Sequence, residues 1–215
     1  MNKYTQVDNT LTSVVDPRCY TVNTRCSEAL IAAIHEVQDA FMEKFGDDVF
    51  CPRGAELHAT LLNWLDPFIE YEQDKVQLFQ HVRDSWESIT RAVLEGFGPV
   101  KVRFDTLEYR GNTICLEGFD DGTFAAMRAA LASKNFLPAA NTRPPTDIHV
   151  TILTFRRALD EQAVLEILGQ QRCKMEEVVD RFRLVYSPKA RLQDHVQIGE
   201  FELGNFGQWV GYVAI

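Results

Sequence analysis

The chain has 215 residues, 46% hydrophobic, 11% aromatic and 25% charged. That make-up allows a sizeable buried core and excludes a disordered, collagenous or coiled-coil chain. Lys and Arg number 22 against 31 Asp and Glu, a formal charge of −9, which excludes the coating of long duplex nucleic acid, although a few local arginines can still hold one phosphate.

No stretch approaches the roughly 18 apolar residues of a membrane span, and the N-terminal segment lacks the apolar core of a signal peptide. No membrane partner and a cytoplasmic location are therefore expected. Cys19, Cys26, Cys51, Cys115 and Cys173 are widely spaced without a CxxC pair, which points to free thiols rather than a disulfide framework or a zinc site.

Residues 19–25 (CYTVNTR) alternate and are rich in Thr and Val, which predicts a strand. Ser27 starts a helix with Glu28 in its first turn and Leu30, Ile34, Val37, Phe41 and Phe45 at three- and four-residue spacing, and Gly46 stops it. The loop Cys51-Pro52-Arg53-Gly54 leads into a strand over 57–64. A polar stretch over 66–74 precedes a helix with Phe79, Val82, Trp86, Ile89 and Val93 on one face, ended by Gly96, Gly98 and Pro99. Val100, Val102 and Phe104 alternate as a strand, and Arg110-Gly111-Asn112 turns into another over 113–116. A helix over 123–135 and a loop over 138–147 lead to a strand over 148–155. Asp160 caps a short helix through Leu168. Two strands follow, over 178–186 and 196–203, the second bulged at Gly199-Glu200, where its apolar pattern changes register.

His58 and His149 lie 91 residues apart. Shifting 19–24 by that offset lands on 110–115, a turn and strand, and shifting 27–45 lands on 118–136, which contains the third helix. Both halves thus run strand, helix, loop and a strand carrying His-x-Thr, the pattern of a duplicated αβ unit. Strand alternation puts His58 beside Thr60, and His149 beside Thr151, on one face, with Leu57, Leu61, Ile148 and Ile152 on the other.

His58-Ala59-Thr60-Leu61 and His149-Val150-Thr151-Ile152 resemble the tandem HxTx motifs of the 2H phosphoesterase superfamily, which includes 2′-5′ RNA ligase-like proteins and 2′,3′-cyclic nucleotide phosphodiesterases. The resemblance runs over 19–203, and Leu184-Val185-Tyr186-Ser187 is similar to a late strand of many members. It implies an α+β fold of two pseudo-symmetric αβ lobes, with mainly antiparallel sheets flanking a central cleft. One domain over 1–215 is expected, the first lobe carrying His58 and Thr60 and the second His149 and Thr151.

The resemblance further implies a monomeric, cofactor-free phosphodiesterase acting on a nucleotide or RNA end, at a 2′,3′-cyclic phosphate or a 2′-5′ linkage. Hydrolysis of cyclic or 2′-5′ oligonucleotide immune signals, and a non-catalytic nucleotide- or RNA-binding module, are the alternatives. The residue types suit the chemistry. Two imidazoles, each with an ordinary pKa of about 6.5, can hold opposite protonation states near neutrality. The hydroxyls of Thr60 and Thr151 can donate to nonbridging oxygens as charge builds there, and no metal is required.

Many RNA ligase-like members carry an arginine five residues after the second histidine. Here that position is Thr154, and arginines come later, at Arg156 and Arg157. Arg53 and Arg143 enter the two motif strands from nearly equivalent loops and are the candidate substrate cations. Trp64, Phe155 and Tyr186 are the candidate base-stacking rings. His35, His81 and His195 lie outside the pattern and read as structural or surface residues.

Overall fold

The first half begins with β1 (Cys19–Arg25) and α1 (Glu28–Phe45), where the Ser27 hydroxyl oxygen accepts from the Leu30 N–H and Gly46, at φ 53°, ends the helix. It closes with β2 (Val49–Phe50) and β3 (His58–Leu65). Asp74 caps α2 (Lys75–Leu94) by accepting from the Val76 and Gln77 N–H groups, and β4 (Val100–Tyr109) follows. The second half repeats the first with β5 (Thr113–Phe119), α3 (Thr123–Ala132) and β6 (Ile148–Phe155). The chain then forms α4 (Glu161–Gln170), capped by Asp160, and β7 (Met175–Val179), β8 (Arg181–Ser187) and β9 (Val196–Glu202). This computed structural model describes residues 4–9, 16–138 and 145–204. Among them, no helix is long and apolar enough to cross a membrane.

The strands form one antiparallel sheet in the order β7-β4-β5-β6-β3-β1-β8-β9, with β2 paired to β6. β7 is at one end of that order and β8 next to the other end, yet only Asp180 separates them in the chain, so the sheet is curled until its two edges approach. The single strand expected over 178–186 is therefore two, β7 pairing with β4 and β8 with β1 and β9. Side-chain alternation runs on through Asp180 and carries no mark of the change of partner. The expected bulge in the last strand is present one residue earlier: Leu184 pairs with Gly199 and Val185 with Gln197, which leaves Ile198 out of the ladder.

The helices bury their apolar stripes against this sheet: Leu30, Ile34, Val37 and Phe41 from α1, Phe79, Trp86 and Val93 from α2, and Phe124, Met127 and Leu131 from α3. α1 packs on β6 and α3 on β3, so each helix reaches the motif strand of the other half.

Two buried side chains make that crossing specific. In the ladder of β3 with β1, Leu61 is skipped and, further along, Trp64; in the ladder of β6 with β5, Ile152 is skipped. Leu61 and Ile152 are 91 apart, the same offset as the histidines. A bulge carbonyl loses its ladder partner and must find another inside the protein. Gln38 Nε2 donates to Ile152 O at 2.7 Å and to Pro52 O at 2.8 Å. Arg128 Nε donates to Leu61 O at 3.0 Å, and its Nη2 donates to Thr60 O at 2.7 Å and Asp147 O at 2.9 Å. Each helix thus ties the chain entering its own motif strand to the motif strand of the other half.

Leaving a buried carbonyl without a donor costs about 1–3 kcal/mol. Arg128→Met, which orphans three carbonyls at once, should destabilise the fold by about 2–4 kcal/mol, and Gln38→Leu by about 1–3 kcal/mol. Urea denaturation measures both, and an Arg128→Met chain as stable as the parent would show that the brace contributes nothing.

Candidate active site

His58 and Thr60 of β3 and His149 and Thr151 of β6 line one open cleft. β3 and β6 meet at the pair Ala59↔Val150. Carried one residue either way, that register sets His58 against Thr151 and Thr60 against His149. The two histidines are then diagonal neighbours, roughly 7–8 Å apart at the backbone. Each imidazole has the other half's hydroxyl opposite it.

The two rings are held differently. His58 Nδ1 lies 2.6 Å from Glu56 O. A carbonyl only accepts, so Nδ1 carries the proton and Nε2 is left with a bare lone pair. Burial lowers the His58 pKa to about 4 against the opposing pull of the Glu56 carbonyl, and the positive charge of Arg183 adds to the lowering. His58 is therefore neutral near pH 7. Arg183 is itself buried, and burial lowers its pKa to about 10. Its Nε donates to Asn23 Oδ1 at 2.6 Å, Nη2 to Ala55 O at 2.6 Å, and Nη1 reaches His195 Nε2 at 3.4 Å.

His149 faces a carboxylate instead. Asp147 Oδ2 is 3.3 Å from Nδ1, close enough for Coulombic attraction although not aligned as a hydrogen bond. Burial lowers the His149 pKa, and the charge of Asp147 opposes that shift. Arg110 hydrogen-bonds both Asp147 and Glu117, and also Glu108 at 2.6 Å. Burial pushes Asp147 up, but the Arg110 hydrogen bond and the charges of His149 and Arg110 outweigh it and leave the carboxyl below its ordinary value. Glu117, paired with His149 across the β5–β6 ladder, is raised to about 7 by burial and by its hydrogen bond with Glu108. The imidazolium form of His149 thus has an ionised partner that His58 lacks.

The three aromatic candidates are not at the cleft. Trp64 and Phe155 are 0% exposed, Trp64 packing against Phe79, Trp86 and Phe201 and Phe155 against Tyr109. Half-buried Tyr186 pairs with Tyr20, its ring centroid 5.0 Å away. The bulges are the physical reason. Beyond Leu61 the alternation of β3 is inverted, so Asn63 lines the cleft and Trp64 enters the core. Beyond Ile152 the same inversion buries Phe155. Thr154 is fully buried as well.

Arg53 points to Asp39 Oδ1 at 3.2 Å and to Met42 Sδ, away from the cleft, and Arg143 lies outside the described residues. The cleft wall instead includes Asn63, Phe68 and Arg191, which strand and helix periodicity could not single out because two of them sit in loops. Phe68 is 57% exposed. Its loop is ordered around Asp66, which accepts from the Asn63 amide and the Phe68 N–H at 2.8 Å each, while the Asp66 N–H donates to the Tyr71 hydroxyl at 2.8 Å. Among the described residues no group of three His, Cys, Asp or Glu side chains is arranged to hold a metal ion.

Solved structures of other proteins superpose on the chain and share its curled antiparallel fold. TT0787 of Thermus thermophilus matches with TM-score 0.61 at 15% identity, over 87% of this chain and 99% of that one. E. coli LigT complexed with NADP+ matches with TM-score 0.59 at 14% identity, over 87% and 99%. A structure described as a phosphoesterase matches with TM-score 0.62 at 13% identity, over the same shares. No protein-family model and no curated protein matches the sequence.

The depressed pKa of His58 has a consequence for stability. Its ordinary value is 6.5 and its folded value about 4. Below pH 6.5 the unfolded chain takes up a proton that the folded chain refuses, so stability falls as pH drops from 6.5 through 4 and is flat in this respect above 7. The full loss is up to about 3 kcal/mol. Denaturation of His58→Gln across this range should show a shallower acid loss than the parent; an identical slope would place the folded pKa of His58 near its ordinary value.

Proposed function

We propose that the cleft is a metal-independent phosphodiesterase site that opens a 2′,3′-cyclic phosphate or a 2′-5′ linkage at the end of a nucleotide or RNA, with His58 as general base and His149 as general acid. The observation that carries this reading is the unequal anchoring of two imidazoles on one cleft. His58, with Nδ1 committed to Glu56 O, keeps Nε2 as a proton acceptor. His149, with Asp147 behind it, is the ring whose protonated form has a partner.

In the forward step, His58 Nε2 takes a proton from water, or from a ribose hydroxyl in an internal transfer, as that oxygen bonds to phosphorus. His149 gives its proton to the ribose oxygen whose bond to phosphorus breaks. Thr60 and Thr151 donate to the nonbridging oxygens, and Phe68 offers an exposed ring at the cleft for a base to stack on. E. coli LigT has been solved with 3′-AMP and with phosphate, ligands of the class this cleft would take.

Cleavage of 2′,3′-cyclic nucleotides, 2′-5′ oligoadenylate and cyclic dinucleotides with EDTA present tests the reading. Turnover of at least one substrate should survive the chelator. His58→Ala and His149→Ala should each lose about 10²–10⁴-fold, with Thr60→Ala and Thr151→Ala losing less. Because burial lowers the His149 pKa below 6.5, its acid form drains away as pH rises, and kcat/KM should fall from mildly acidic pH toward alkaline pH. No turnover across the panel, or a His58→Ala enzyme of near-full activity, would refute the mechanism.

A further inference from the structure

We propose that Arg191 is the phosphate-holding side chain of this cleft, and that Asp8 occupies its guanidinium until a phosphate displaces it. The inference rests on the phosphodiester reading above and adds to it a cation that sequence patterning did not reveal. Arg191 is the one Lys or Arg on the cleft wall among the described residues. The other arginines nearby do not line the cleft: Arg128 is held by three carbonyls, Arg183 by Asn23 and Ala55, Arg110 by carboxylates and Arg53 by Asp39.

The loop that presents Arg191 is held in an uncommon backbone conformation. Arg191, Leu192 and Asp194 have φ of 60°, 55° and 56°, left-handed values that residues other than glycine adopt only where the surroundings enforce them. The enforcement is visible. The Ser187 hydroxyl lies 2.7 Å from Lys189 O and 2.9 Å from Gln193 O, His195 Nδ1 donates to Leu192 O at 2.8 Å, and Leu192 packs on Cys19 and Val185. These contacts set Arg191 on the cleft lining, its side chain 20% exposed, with its guanidinium turned to the fully buried carboxylate of Asp8.

Nε and Nη2 of Arg191 converge on one oxygen, Asp8 Oδ2, at 3.1 and 2.9 Å. Asp8 belongs to a segment laid on the second half of the fold: Thr5 N–H donates to Leu159 O, Gln6 N–H to Gly111 O and Asp8 N–H to Phe155 O. The Arg191 loop follows β8, whose partner is β1 of the first half. The ion pair therefore joins the two halves. A guanidinium fork that fits one carboxylate fits the nonbridging oxygens of a phosphate equally well, so substrate and Asp8 compete for the same donors.

Titration of the full chain with inorganic phosphate and with adenosine 3′-monophosphate, followed by calorimetry or NMR, separates this role from a structural one. Arg191→Ala should weaken both ligands about 10- to 100-fold, Arg191→Lys less, and Asp8→Asn should tighten them several-fold by releasing the guanidinium. A pair that only braces the fold would make Arg191→Ala and Asp8→Asn move affinity in the same direction, and that result overturns the proposal. So does unchanged affinity in Arg191→Lys and Arg191→Ala. Should Arg191→Ala fail to fold, the Lys and Asp8→Asn variants decide between the same outcomes. Phosphate binding with these signs in a chain that cleaves no diester would refute the enzymatic reading and leave the anchor intact.

Discussion

Immediately after each histidine-threonine pair one residue leaves the ladder, Leu61 in β3 and Ile152 in β6, and the carbonyl of each is taken up by a buried donor from the other half's helix. These two bulges bend the motif strands where they meet, so β3 pairs with β6 at Ala59↔Val150 and then runs on with β1, while β6 runs on with β5 and β2. A flat sheet would carry both histidines on an open surface. The bend turns that surface into a concave wall, and the crossed braces of Gln38 and Arg128 hold the curvature.

Within the wall, symmetry of the backbone does not extend to electrostatics. The position opposite His58 in the neighbouring strand is Arg25, and that opposite His149 is Glu117. Behind the first ring lies a buried cation, Arg183, and beside the second lies the carboxylate Asp147, clamped by Arg110. A duplicated scaffold with unlike charges at equivalent places gives two imidazoles different electrostatic surroundings without changing their type. With a net charge of −9, the chain can hold an anion only through local cations.

Much of this was legible in the sequence. The helix stripes, the caps at Ser27 and Asp160 and the 91-residue offset all place elements within a few residues of where they lie, because local periodicity and capping are properties of short windows. What a short window does not contain is the partner of a strand. The corner at Asp180 and the inversions beyond Leu61 and Ile152 depend on neighbours distant in the chain, and the inversions moved Trp64 and Phe155 from expected cleft positions into the core. The loop residues Phe68 and Arg191 have no period to be read from, and their place at the cleft follows from Asx-turn chemistry around Asp66 and from an enforced left-handed backbone.

The division of labour between the two imidazoles is tested most directly by following their ring nitrogens by 15N NMR across pH in the unliganded protein. His58 should appear as the Nδ1–H tautomer, with a bare Nε2, and should titrate near 4, below His149. A His58 ring carrying its proton on Nε2, or one titrating at about 6.5 together with or above His149, would contradict the assignment of base and acid.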